Sequence, residues 1–215
     1  VQQNNMVINN NINISGRISS DFKFSHEVYG EGFYNFNVNV NRLSDISDEL
    51  PVTISERLID KQDLPIGTHV HILGQVRSYN SFIESDKKNK LVLTIFTKDI
   101  KIIKEEGFES KNPNEVFLNG YICKPPIFRT TPFGREIADI LLAVNRSYNK
   151  SDYIPCIAWG RNARFVSGLG VGDNIKLTGR MQSRGYQKKL DTGNVLEKVA
   201  FEVSVSKIEH VINKE

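Results

Sequence analysis

The stretch Asp139–Arg164, DILLAVNRSYNKSDYIPCIAWGRNAR, collects the residue types best suited to a chemical task. Tyr148, Tyr153 and Trp159 are spread through it, with Arg146, Lys150, Arg161 and Arg164 between them. Flat aromatic faces can stack on bases, and cations meet phosphates, so this mixture on strands is what a platform for unpaired nucleic acid requires. The stretch reads as a strand, a polar turn, a second strand and the basic start of a short helix. Taken alone it has a structural account as well, because one Trp and two Tyr on strands commonly fill a core.

Catalysis finds little support. The histidines are His26, His69, His71 and His210. His69 and His71 share one face of a strand and could approach a metal, but no Cys or carboxylate nearby in sequence completes a ligand set, so a surface pair is the expectation. Gly168-Leu169-Gly170-Val171-Gly172 lacks the Lys-Ser/Thr ending of a phosphate loop and precedes a strand, which reads as a turn. No G-x-S-x-G elbow and no His-Cys pair is present. The expectation is a binding protein without metal, cofactor or small-molecule substrate.

The elements that must position the aromatic stretch occur twice. Placing INISGRI (Ile12–Ile18) over VFLNGYI (Val116–Ile122) aligns Gly16 with Gly120 at an offset of 104 residues. At the same offset Gly30 meets Gly134, Arg42 meets Arg146 and Pro51 meets Pro155. After one inserted residue Gly67 meets Gly172, and Gly74 meets Gly179. A repeat that keeps turn glycines in register means two copies of one supersecondary plan. The hydrophilic Lys104–Asn114, KEEGFESKNPN, reads as the linker, giving domains 1–108 and 109–215.

Each copy predicts a long first strand, a glycine turn, a second strand, and a third strand starting near Pro51 or Pro155. A short helix follows, over Glu56–Gln62 or about Arg161–Ser167. Gly67-Thr68 and Gly172-Asp173 open a fourth strand. In the fifth strand apolar side chains alternate at Leu91, Leu93 and Ile95, and at Val199, Phe201, Val203 and Val205, which turns them into a barrel core. Strand–strand–strand–helix–strand–strand fits an all-β, five-stranded Greek-key barrel of the OB type. A pair of β-sandwiches is the alternative, and the helix within each copy argues against it.

These motifs carry a resemblance. LAVNR (Leu142–Arg146) and YIPCIAWGR (Tyr153–Arg161) resemble the bacterial single-stranded DNA-binding protein family. The likeness extends upstream through NEVFLNGYICKPPIFRTTPFGREIADI (Asn114–Ile140) and downstream through VGDNIKLTGRMQSRGY (Val171–Tyr186) and EKVAFEVSVSKI (Glu197–Ile208), about a hundred residues in all. It implies two tandem OB-folds in one chain, single-stranded DNA as partner, and a bacterial cytoplasmic, nucleoid-associated protein of replication, recombination or repair. It also implies a homodimer with four OB-folds, and contacts to replication or repair proteins. The family's base-stacking positions fall on Tyr148, Tyr153, Trp159 and Tyr186, with Phe128 and Phe133 added. Phosphate contacts are expected from Arg129, Arg146, Lys150, Arg161, Arg164, Arg180, Arg184, Lys188 and Lys189, with Gln182–Asn194 as a mobile clamping loop. The family usually carries an acidic, phenylalanine-tipped tail that recruits partners. This sequence stops at HVINKE, immediately after the last strand, which leaves recruitment through such a tip open.

Copy one departs at the same places, with Ser44, Glu49, Ser55 and Ser81 where copy two has its four aromatics. Residues 1–110 carry a net charge of −3 and residues 111–215 a net of +6. A basic half and an acidic half imply divided labour. Copy one keeps a secondary set, Phe24, Tyr29, Arg42, Arg77, Tyr79 and Phe82, for weak binding or for assembly. Two other readings stay open: a primosome-like accessory or scaffold that docks a protein through copy one, and a single-stranded RNA-binding protein. No run of about 18 apolar residues predicts a membrane span, and the Asn-rich start does not read as a secretory signal. Cys123 and Cys156, far apart and outside any C-x-x-C, read as free thiols.

Overall fold

The computed structural model describes residues 8–59, 64–83, 88–104, 111–189 and 195–212. Copy one contains β1 (Asn10–Ile18), β2 (Lys23–Val28), β3 (Glu31–Asn41), β4 (Ser47–Ser55), α1 (Glu56–Ile59), β5 (His69–Ile83) and β6 (Lys88–Ile102). Copy two repeats the series as β7 (Asn114–Ile122), β8 (Ile127–Thr130), β9 (Glu136–Arg146), β10 (Lys150–Trp159), α2 (Arg161–Ser167), β11 (Asn174–Lys189) and β12 (Val195–His210).

In each copy the strands close on themselves. The order β3-β4-β6-β5-β1 returns to β3 through β1, and β9-β10-β12-β11-β7 returns to β9 through β7. The one parallel contact in each ring is β4 with β6, or β10 with β12. This is the expected five-stranded OB barrel, twice. The predicted long first strand is broken in both copies: β2 and β8 peel away from the barrel and pair only with β3 and β9. Closure needs a close approach at Gly16 and Gly120. A Cβ at either would drive into the backbone carbonyl of Asn39 or Ala143. That contact explains why the two glycines sit in register.

Period-two alternation fills each barrel. Ile12, Ile14 and Ile18, Phe36, Val38 and Val40, and Leu50, Val52 and Ile54 are buried in copy one. Val116, Leu118, Ile122, Ile140, Leu142, Val144, Ile154, Cys156 and Ala158 do the same in copy two, at the predicted offset. Burying each such Ile or Leu contributes about 1.5–3 kcal/mol. In the fifth strands the alternation serves the core only near the barrel. Leu93, Ile95, Val203 and Val205 are buried, whereas Val199 is half-exposed and Phe201 only partly covered.

The reason is a second difference from expectation. Gln182–Asn194 is not a loop as far as Lys189: β11 continues, paired rung by rung with β12 to Lys189↔Val195. β5 and β6 form the matching ribbon to Ile83↔Lys88. The remainder of that stretch, residues 190–194, lies outside the described residues, as do the helix positions 60–62 and the linker positions 105–110. Within the described residues α1 ends at Ile59. Strand β4 begins four residues before Pro51, and β10 five before Pro155.

The copies are joined by β1 and β7, antiparallel, with Ile12 opposite Val116. The register Asn10↔Leu118 is mirrored by Ile14↔Asn114, so the pairing has a local twofold. Two buried carboxylates follow the same symmetry. Asp48 on β4 accepts from the Ser183 N–H (2.8 Å) and hydroxyl (2.9 Å) of the other copy. Asp152 on β10 accepts from the Ser78 N–H at 2.8 Å. Arg42 grips Asp48 through Nε and Nη2, both at 2.7 Å, and passes Nη2 on to the Ser183 carbonyl.

Burial alone would push the Asp48 carboxyl up. The hydrogen bonds from Arg42 and Ser183 outweigh it and hold the group below the usual carboxylate range. A group so depressed contributes stability in full above its unfolded pKa of about 3.9, and that contribution is lost as pH falls through the lowered value. Asp48→Asn is therefore expected to cost about 3 kcal/mol near neutral pH and progressively less below pH ~4. Urea unfolding across pH 2–7 measures this. A cost independent of pH would contradict it.

Candidate nucleic-acid interface

Along β10, Ile154, Cys156 and Ala158 point into the barrel, so Tyr153 and Trp159 must face outward. They do, at 46% and 37% exposure. Tyr148 stands 94% exposed at the β9–β10 turn, with φ at 62°. A non-glycine residue there is strained, and neither strain nor exposure helps folding. Tyr186, on β11 opposite Lys198, is partly covered. Phe128 on β8 and Phe133 in the turn after it are exposed. Trp159, Arg164, Arg135 and Thr130 line one open cleft between the β8 hairpin and α2, of about 660 Å³.

The expected cations divide into two groups. Arg129 pairs with Asp139 (2.9 Å), Arg164 with Glu136 and Arg184 with Glu202 (3.3 Å). Their guanidinium groups remain at the surface but already hold a carboxylate. Lys150 and Arg161 are exposed and have no ion pair among the described residues. Arg180 lies partly buried beside Gln182, with its Nε unpaired. The side chains of Lys188 and Lys189 lie outside the described residues. Arg42, Arg77 and Arg146 are drawn away from the platforms into the junction between copies, where Asp48 and Asp152 hold them.

Copy one is less bare than its serines imply. Trp159 lies opposite Ile137 on the β9–β10 ladder. The equivalent rung in copy one pairs Phe33 with Ser55. The ring has thus moved across the ladder: aromatic on β10 in copy two, aromatic on β3 in copy one. Phe33 begins a track. His26 stacks on it at 5.0 Å between centroids, Phe96 follows at 5.7 Å, and Arg77 lies over Phe96 at 5.3 Å. Phe24 adds an edge contact to Tyr34. Tyr29, Tyr79 and Phe82 are exposed. His26 and Phe96 escaped the sequence reading. The signal for Phe96 was its phase: Leu93 and Ile95 face the core, so residue 96 must face out.

His69 and His71 stand beside Arg17 and Ser15 on β1, and His71 Nδ1 is hydrogen-bonded to the Ser15 hydroxyl at 2.9 Å. Burial first, and the charge of Arg17 second, hold His69 below its ordinary pKa. Among the described residues no three His, Cys, Asp or Glu side chains gather as a metal site. Both cysteines are free, and burial pushes the Cys156 thiol up.

A sequence model of the single-strand binding protein family matches residues 113–211, the whole of copy two. The single-stranded DNA-binding protein of Clostridium tetani is 36% identical over 98 residues, covering 42% of this chain and 68% of that protein. The chain belongs to the single-strand binding protein family. Single-stranded DNA-binding protein 1 of Staphylococcus aureus is 37% identical over 83 residues, 35% of this chain and 50% of its own length. The chain thus spans about half the length of several curated family members it matches. The crystal structure of the wild-type single-stranded DNA binding protein from Thermus aquaticus superposes with a TM-score of 0.76 at 18% identity. It covers 96% of this chain and 94% of that one, which places both copies in the fold seen there.

Tyr148 separates stability from binding. Tyr148→Gly is expected to leave the fold unchanged or up to ~1 kcal/mol more stable, because it relieves the positive φ. It is also expected to weaken binding of a single-stranded oligonucleotide. Denaturant melts and a binding titration on the same sample test this. Lost stability with unaltered binding would make the residue structural.

Proposed function

We propose that this protein binds single-stranded DNA with little sequence preference, coating and protecting unpaired strands in replication, recombination or repair. The observation that carries the reading is the outward row on β10 and its turn, Tyr148, Tyr153 and Trp159, set among Lys150, Arg161 and Arg164. Stacking and phosphate contacts need no base-edge readout, so binding follows strand geometry and not sequence. The related proteins from Staphylococcus and Clostridium are named for the same ligand. Binding, with no catalytic step, accounts for these residues.

Copy two, within 109–215, is the main platform, and copy one, within 1–108, a secondary one. The chain pairs its two barrels internally, and two chains would assemble four OB-folds. No helix of the described residues is long and apolar enough to cross a membrane. A cytoplasmic, nucleoid-associated site of action and contacts to replication or repair proteins belong to the same proposal.

Trp159 is the only tryptophan, so its fluorescence reports directly. Oligo-dT should quench it, and Trp159→Ala should weaken binding by about 1–3 kcal/mol. Equal-length RNA and duplex DNA should compete poorly. Unchanged emission at saturating oligo-dT, or RNA competing better than DNA, overturns the reading. Light scattering tests the dimer, which a monomer mass would exclude.

A further inference from the structure

The junction between the copies holds a cleft of about 320 Å³, lined among others by Arg77, Lys98, Asn145, Arg146 and Asp152. Its charge does not balance. Asp152, 1% exposed, faces two guanidiniums, with Arg146 Nε at 3.7 Å and Arg77 Nε at 3.9 Å from the same oxygen Oδ2. Its other oxygen is already taken by the Ser78 N–H. Lys98 adds a third cation from β6. Three positive charges and one carboxylate therefore line the cleft.

Both Nε atoms are buried and lack a hydrogen-bond partner among the described residues. An unpaired buried donor is costly, the more so when charged. The opposite side of the twofold is built differently. There Arg42 meets Asp48 one to one, through two 2.7 Å hydrogen bonds. The counterparts of Arg77 and Lys98 are Gln182 and Ser206, and Gln182 is bonded to Glu202 at 3.0 Å. The matching cleft on the other side also holds an orphaned donor, Arg180 Nε, but there one arginine stands with one carboxylate, Glu115. The excess of cations therefore occurs on one side only and does not follow from the junction's structural role.

We propose that this cleft is an anion site that takes a tetrahedral phosphate oxygen group, held by Arg77, Arg146 and Lys98, and that a phosphodiester of the bound strand occupies it between the two barrels. The proposal rests on the single-strand binding reading for its source of phosphate, and on the cleft alone for its chemistry. Arg77 lies on the ring of Phe96, which ends the copy-one aromatic track. A phosphate seated here would therefore connect that track to β10, where the Tyr153 N–H is already bonded to the Ser78 hydroxyl at the same junction.

The test uses the full chain and two probes, inorganic phosphate and oligo-dT. Phosphate should raise the melting temperature of the wild-type chain by a few degrees at concentrations well above its Kd. Arg146→Gln should abolish that rise. Asp152→Asn removes the competing carboxylate and should strengthen the phosphate response even if its own melting point is lower. With oligo-dT, Arg146→Gln should reduce affinity about tenfold and flatten the log affinity against log salt slope by about 0.7. Lys98→Gln, on an exposed side chain, should act in the same direction and keeps the test valid if Arg146→Gln fails to fold. Response to phosphate and DNA together supports the strand as source. Response to phosphate alone supports the anion site and overturns the strand as its source. No phosphate response in wild type, with unaltered DNA slopes in the variants, overturns the site. Wild type that fails to bind oligo-dT would refute the functional reading, while the phosphate arm still decides the cleft.

Discussion

The antiparallel pairing of β1 with β7 is the constraint on which the other features depend. Each barrel closes through that same strand: β1 bonds β3 and β5 inside copy one, and β7 bonds β9 and β11 inside copy two. The segment that seals a barrel therefore also joins it to the other. Backbone hydrogen bonds continue the ladder at both ends, from Asn119 to Asn9 and from Ser15 to Pro113. Among the described residues the barrels meet directly along this seam. The two outward surfaces are held in one relation, and a strand crossing both meets a preset geometry.

Around that seam one plan has diverged in chemistry while keeping its geometry. The Asp–Ser contacts across the junction are retained twice. The charges around them are not: one Asp has a single arginine, the other has two and a lysine nearby. The aromatic rung is retained but transposed between neighbouring strands. Barrel interiors tolerate little change because they are close-packed. Outward rungs and junction side chains carry no such restriction, and that is where the copies differ.

Much of the architecture was legible because it follows from period and spacing. Alternating apolar residues named the strands, and the offset of 104 residues found the repeat through glycines that admit no side chain. Break points were only partly legible. Ser19-Ser20-Asp21 and Pro125-Pro126 favour turns, and they stand where the first strand splits into β1 and β2 and into β7 and β8. Gln182–Lys189 is polar and reads as loop, yet β12 pairs it rung for rung, a tertiary decision that local composition does not record. The exposed aromatics of copy two followed from the family resemblance, and for Tyr153 and Trp159 the phase of β10 against Ile154, Cys156 and Ala158 agrees with it. The fate of Arg42, Arg77 and Arg146 was not, because Asp48 and Asp152 lie on a face that exists only once the two copies are paired.

The central claim is that two barrels of one plan bind the same strand unequally, with copy two dominant. The direct measurement is the affinity of the full chain for oligo-dT in two double variants, Tyr148→Ala with Trp159→Ala, and Phe24→Ala with Tyr29→Ala. All but Trp159 are largely exposed, so both proteins should remain folded, and circular dichroism checks it. The account predicts that the copy-two pair loses at least about tenfold more affinity than the copy-one pair, since stacking contributes roughly 1–3 kcal/mol per base. Equal losses, or a larger loss from the copy-one pair, would contradict it.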